Sequence, residues 1–234
     1  VPAPRFRAFR LLRAWLALPL GRKFANWLWA EMASALRPTM SQTPPPDPKV
    51  TKDSGKAAAL NKAGPKLMPE NPDVEGLNKY GTASVLIFQN TIGSLPTHNY
   101  NEGQFEDCDP ISGEVLYDTV LKERDTCYAC VVKCKRVVEI KDGAYKVDPR
   151  YGGPEYETAG MVGANCMVGD LAAVVKANEI ASRYGVDTIS LGGVVGFVME
   201  CFERGILTAE QIGFPAPFGD GEALVALAEL IAER

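Results

Sequence analysis

DTCYACVVKCKRVVE, residues 125–139, packs Cys127, Cys130 and Cys134 into a C-x2-C-x3-C run. Thiolates are strong ligands for soft and borderline metals, and this spacing lets three sulfurs converge on one face of a small cluster. Zinc would usually take four protein ligands, often from two paired knuckles. The chain has no second C-x2-C, and His98 is its one histidine. An iron–sulfur site fits better. It takes four cysteines as a rule, and a remote ligand can close a three-cysteine loop after folding. Cys166 and Cys201 are the in-chain candidates. Each sits among apolar residues, where a buried free thiol is the plain alternative.

Working outward, LYDTVLKERD leads into the cysteines as a helical approach, and Val137, Val138 and Ile140 leave them as a β-like exit. The triplet is thus expected in a turn-like connection. DGAYKVDPRYGGP follows and is turn-rich. From Tyr156 to the end the pattern is mainly helical. Asp170 suits an N-cap and Gly185 a helix end for GDLAAVVKANEIASRYG, with Leu171, Val174, Val175 and Ala181 on one face. TISLGGVVGFVMECFERG gives a second helix, and Gly192, Gly193 and Gly196 leave a bare patch on it for a cofactor or another helix. Thr208 and Gln211 have the capping-box spacing. Asp220 caps a last helix, on which Leu224, Leu227 and Ile231 share a face. Upstream, SGKAAALNKAG suits a short helix ending at Gly64.

Composition sets the outer bounds. The net charge of −4 gives no global case for nucleic-acid binding. Six cysteines in 234 residues do not make a disulfide scaffold, so a reducing compartment, the cytoplasm, is expected. No run of roughly 18 uncharged apolar residues occurs, so no transmembrane helix is expected. Residues 1–37 hold seven Arg or Lys against the single acid Glu31, and MSQTPPPDP follows. Residues 1–54 read as a basic, proline-rich, poorly ordered extension, with Met40 as an alternative start. A basic amphipathic segment on a membrane surface or partner is the other reading. Residues 55–234 read as the globular domain.

The flanking segments extend the pattern. NKYGTASVL at 78–86 and LPTHNYNEGQFE at 95–106 precede the cysteines. DPRYGGPEYET at 148–158, DLAAVVKANEIASRYGVDTIS at 170–190 and GFVMECFERGIL at 196–207 follow them. In this order and spacing, residues 55–234 resemble the middle of the aldehyde:ferredoxin oxidoreductase family, tungsten or molybdenum bis-pterin enzymes. The resemblance implies a mainly α fold: an internal helical domain of a longer catalytic subunit, incomplete at its C-terminus. It implies that Cys127, Cys130 and Cys134 bind a [4Fe–4S] cube near the pterin, with a fourth cysteine far downstream. It places the active-site glutamate at Glu157, with Glu155 adjacent at the cofactor. The family's D-x-x-G-L-D pterin motif is matched by SRYGVD, where Gly185 and Asp187 fit, Ser182 replaces the aspartate and Val186 the leucine. No E-x-x-H pair is present for the bridging metal that some members carry.

The implied function is oxidation of small aldehydes to carboxylic acids, or the reverse, with electrons leaving through the cube to ferredoxin or an iron–sulfur subunit. The isolated chain is expected to be inactive, and self-association is compatible with the family. A stand-alone iron–sulfur carrier and an inert truncated fragment are the competing readings. Residue by residue, Glu157 is either a general base, which would need burial to raise its pKa, or a helix-start carboxylate. Asp187 either accepts from pterin nitrogens or caps the next helix. Lys133, Lys135 and Arg136 either offset cluster charge or are solvated. His98 reads as an ordinary loop residue.

Overall fold

The computed structural model describes residues 54–68, 71–128 and 130–233. Except for Ser54, the extension expected over 1–54 lies outside them. The chain forms α1 (Ser54–Leu67), α2 (Pro72–Tyr80), a 3-10 turn (Thr82–Val85) and α3 (Leu86–Thr91). A loop then leads to a 3-10 segment (Glu106–Ile111) and α4 (Gly113–Thr119). An antiparallel hairpin, β1 (Leu121–Asp125) and β2 (Lys135–Val138), follows. Beyond it come α5 (Tyr156–Thr158), a π-helical turn (Ala159–Gly163), α6 (Leu171–Tyr184), α7 (Thr188–Glu203), α8 (Ala209–Ile212) and α9 (Gly221–Ala232). The fold is mainly α, as expected from the caps downstream of Tyr156.

Those caps form as the sequence dictates. Asp170 accepts from the N–H groups of Ala172 and Ala173, and Asp220 from those of Glu222 and Ala223. Gly185 ends α6 at φ 71°, a left-handed conformation that glycine adopts without a Cβ penalty. Thr208 and Gln211 complete the capping box of α8.

Two expectations are corrected. α1 runs through Gly64 and Pro65 to Leu67, because proline's fixed φ is already helical and its ring forfeits only one hydrogen bond there. The approach to the cysteines is helical only to Thr119; Leu121–Asp125 is a strand. Pairing decides this: Glu123, Arg124 and Asp125 face Val137, Arg136 and Lys135, overriding local preference.

Two apolar clusters hold the body together. The larger joins Leu86, Leu95, Val162, Val174, Leu191 and Leu224, drawn from both halves of the described chain. The smaller joins Leu116 of α4, Val138 of β2, Val147 and Val175 of α6. Val138 and Val175 are fully buried. At about 1.5–3 kcal/mol for each such side chain removed from water, this cluster anchors the hairpin to the helices. Leu171 touches both clusters.

α7 lies unusually close to the π-turn. A Cβ on Gly192 would stand 2.4 Å from the Met161 carbonyl, and one on Gly196 would stand 2.8 Å from Asn165 Nδ2. At these two glycines the bare patch on α7 is filled by the chain's own 159–166 segment.

Candidate functional site

The hairpin connection carries the cysteine triplet. Cys127 is exposed, and Cys130 and Cys134 are half-buried. All three are free thiols. The loop is braced by main-chain and hydroxyl bonds. Cys130 N–H donates to Cys127 O at 3.0 Å, and Thr126 Oγ1 donates to Cys130 O at 2.6 Å. Asn78 of α2 donates to Val132 O at 2.8 Å.

Arg136 does more than flank the cysteines. It is 1% exposed. Its guanidinium donates to the carbonyls of Lys79 (2.6 Å), Asn78 (3.2 Å), Lys133 (2.6 Å) and Cys134 (3.2 Å). One side chain therefore ties the end of α2 to both ends of the Lys133–Cys134 step. Burial and neighbouring Arg124 pull its pKa below the ordinary value, but a guanidinium stays charged in proteins. Lys135, by contrast, is a surface partner of Asp125 at 3.1 Å. Gly81 permits the close approach: at φ 74°, a Cβ there would meet Cys134 O at 2.9 Å.

The acidic segment after the hairpin touches this frame directly. Thr82 Oγ1 donates to the Glu155 carboxylate and accepts from Tyr156 N–H at 2.9 Å. Burial, then the charge of Glu155 and the Cys130 thiol, push the Cys134 thiol upward. Glu155 thus lies within electrostatic reach of Cys134.

Glu157 points elsewhere. It sits in the first turn of α5, exposed to solvent, so the burial that the general-base reading asks for is not supplied by the described residues. It lines an open cleft of about 170 Å³ with Pro96, Tyr156, Gly160, Met161 and Ile189. Glu157 is the one charged residue in that lining. Burial, and then neighbouring Glu157, raise the Tyr156 phenol.

One turn on, buried Thr158 shares a hydroxyl–hydroxyl hydrogen bond of 2.8 Å with Thr188 at the start of α7. That is the corner where the SRYGVD segment lies. Asp187 is the N-cap of α7 and accepts from Ser190 N–H at 2.7 Å. Ser182 and Gly185 are exposed at the end of α6. Residues 155–158 therefore bridge the cysteine hairpin and the α6–α7 corner, with Glu157 facing the cleft.

The remaining cysteines belong to the interior. Cys166 is fully buried, and its thiol donates to the carbonyls of Met161 (3.4 Å) and Gly192 (3.6 Å). Burial drives its pKa far up. Cys201 is buried near the end of α7, and burial raises its thiol as well. Cys108 is 1% exposed and pushed up to about 11 by burial. Among the described residues, no three His, Cys, Asp or Glu side chains converge in a geometry ready for a metal ion. Nor, among them, is any helix long and apolar enough to cross a membrane.

A turn beside the cleft was not anticipated. His98, Asn99 and Tyr100 all have positive φ, 51°, 50° and 64°. Left-handed backbone costs L-residues roughly 1–2 kcal/mol each. Fully buried Asn165 holds the turn: its carbonyl accepts from Asn99 N–H at 2.9 Å and its Oδ1 from Tyr100 N–H at 3.0 Å. His98 spans Glu102 (3.2 Å) and Glu203 (3.1 Å) and meets Phe218 edge-on at 4.4 Å. The asparagine-rich HNYN string was the only available signal, since Asn tolerates such φ better than most residues.

Comparison with known proteins agrees with this architecture. Residues 59–234 match the family model described as aldehyde ferredoxin oxidoreductase, domains 2 and 3. The chain is 40% identical over 166 residues to a tungsten-containing aldehyde ferredoxin oxidoreductase of Pyrococcus abyssi. It is 39% identical over 164 residues to one of Thermococcus kodakarensis. Each alignment covers 68% of this chain and 26% of the relative, so the chain spans about a quarter of their length. It is also 31% identical over 142 residues to an aliphatic sulfonate oxidoreductase, WOR-like subunit, of Pyrococcus furiosus, covering 60% of this chain and 22% of that one. The chain belongs to the aldehyde ferredoxin oxidoreductase family.

Proposed function

We propose that this chain is the cluster- and pterin-facing helical domain of a cytoplasmic oxidoreductase that converts small aldehydes to carboxylic acids, or the reverse. The observation that carries the reading is the Glu155–Thr158 bridge, which bonds to Thr82 beside the cysteine hairpin and to Thr188 at the α6–α7 corner. It supports the reading by bringing the Glu155 carboxylate within electrostatic reach of Cys134 and by joining the same short stretch to α7, which follows SRYGVD. The tungsten named in two of the relatives supports a tungsten bis-pterin, with molybdenum as the alternative metal.

The donor set suits an iron–sulfur cube. Three soft thiols stand on one braced loop, and a cube takes one thiolate at each of four corners. Cys127, Cys130 and Cys134 would supply three. Cys166 is hydrogen-bonded inside the core, which favours a fourth ligand from elsewhere in a longer polypeptide. Bound together, the pterin metal centre and the cube would supply two-electron acceptance and one-electron relay to ferredoxin or an iron–sulfur subunit.

The chain's own residues do the rest. On binding, the three thiols release their protons, and Arg136 provides a fixed positive charge behind Cys134. Asp187 spends one oxygen on Ser190 N–H, and its other lone pairs can accept from pterin N–H groups. Gly185 keeps side-chain bulk away from that corner, and Ser182 offers a hydroxyl. Glu157 takes a proton from water or from the hydrated aldehyde at the open end of the cleft.

The test is anaerobic production of the longer parent polypeptide with tungstate and iron. Aldehyde-dependent reduction of a viologen dye is expected, with iron content falling in Cys127→Ser, Cys130→Ser and Cys134→Ser. A metal-loaded parent that reduces no dye with any aldehyde, or one serine variant after another with full iron, would overturn the proposal.

A further inference from the structure

We propose that Met161, pinned by Tyr100, is the size-setting wall of the cleft, and that the cleft takes uncharged aldehydes with an apolar tail. This rests on reading the cleft as the approach to Glu157.

Methionine has three rotatable bonds and ordinarily adapts to whatever it touches. Met161 is held instead. Its backbone lies in the π-turn, pressed by α7 where a Cβ on Gly192 would come within 2.4 Å. Its sulfur accepts from Tyr100 Oη at 3.1 Å. Tyr100 reaches it from the left-handed turn at 98–100, itself fastened to Asn165. Strained backbone of this kind persists only where surrounding structure over-determines it, and it clusters at functional sites. Here the strain delivers one phenol hydroxyl to one sulfur on the wall of the cleft.

The lining fixes the ligand class. The wall is almost wholly apolar: Pro96, Tyr156, Gly160, Met161 and Ile189 make it up, and Glu157 joins it through its hydrocarbon stem. Ile189 carries this wall onto the surface of α7, where it is 45% accessible. An alkyl or aryl tail can lie along this wall, with Glu157 the one charged residue beside it. A carboxylate would lose its hydration against such a wall, which is costly and favours release of an acid product.

The first arm uses the 234-residue chain labelled with carbon-13 at its methionine methyls. Titration with hexan-1-ol or benzyl alcohol is expected to shift the Met161 methyl signal; hexanoate is expected to leave it in place. Tyr100→Phe should broaden that signal before any ligand is added. A Met161 methyl unmoved by either alcohol, or moved equally by hexanoate, overturns the inference.

The second arm uses the longer parent and a series of straight-chain aldehydes. Met161→Ala should raise kcat/KM for hexanal relative to acetaldehyde by about tenfold, the scale of a methylene or two in an apolar pocket. Tyr100→Phe, which keeps the ring, should move the ratio in the same direction by less. A merely structural role would lower both rates together and leave the ratio fixed, and that outcome also overturns the inference. If the alcohols bind as expected but the parent oxidises no aldehyde, the proposed activity fails and the cleft assignment stands.

Discussion

Thr82 and Glu155, 73 residues apart in sequence, are joined by a hydrogen bond from the threonine hydroxyl to the carboxylate, and the same hydroxyl accepts the Tyr156 N–H. Both members are half-buried, so loss of the hydroxyl leaves two groups without their partner. Thr82→Val should cost about 1–3 kcal/mol, read as a lower urea midpoint with unchanged slope. An unchanged midpoint would mean that solvent replaces the hydroxyl freely.

Arg136 makes a sharper case. Four carbonyls accept from one buried guanidinium, and lysine has no fork to serve them together. Arg136→Lys should destabilise the chain and loosen the loop. Thiol labelling of Cys127, Cys130 and Cys134 should speed up, while Cys166 should stay protected at native conditions. Labelling rates equal to the parent's would remove Arg136 as the brace.

Two glycines should respond in opposite ways to alanine. At Gly192 the added methyl would meet the Met161 backbone at 2.4 Å, so Gly192→Ala should cost about 1–3 kcal/mol or more through overpacking. At Gly76, inside α2, a Cβ meets nothing within 4 Å. Gly76→Ala should stabilise by about 0.5–1 kcal/mol. Thermal melts of the pair test the packing directly.

Asp148 gives a pH signature. The Arg150 side chain and N–H hold its carboxyl at about 2, below the ordinary 3.8. The folded value is depressed, so its contribution is present above about pH 4 and is lost as pH falls toward 2. The difference in urea midpoint between parent and Asp148→Asn should be flat from pH 7 to 5 and shrink below 4. A difference that grew on acidification would reverse the assignment.

The contrast between what the sequence showed and what it hid follows contact range. Asp170, Gly185, Thr208 and Asp220 act within three or four residues, so their caps are written locally. The helical fold and the placement of the cysteines in a connection were legible for the same reason. β1 was hidden because Lys122–Asp125 is charged and lies exposed, with pairing to β2 as its only reason to be a strand. Arg136 was half legible: in β2 it shares a face with buried Val138, and that two-residue period argues against a solvated cation. Thr82–Glu155, Thr158–Thr188 and Tyr100–Met161 join residues 30 to 73 apart, which no local pattern encodes. Asp187 caps α7, the plainer of its two readings, and keeps lone pairs free for the other.

The central claim is that Glu157 accepts a proton during aldehyde oxidation. The measurement is the turnover of Glu157→Gln in the longer parent, compared at equal tungsten and iron content. Glutamine keeps the shape and the hydrogen-bonding capacity but is not a base. The account predicts a loss on the order of 10²–10⁴-fold in kcat. Near-parent turnover in a fully loaded glutamine variant would contradict it and leave Glu157 as a helix-start carboxylate on α5.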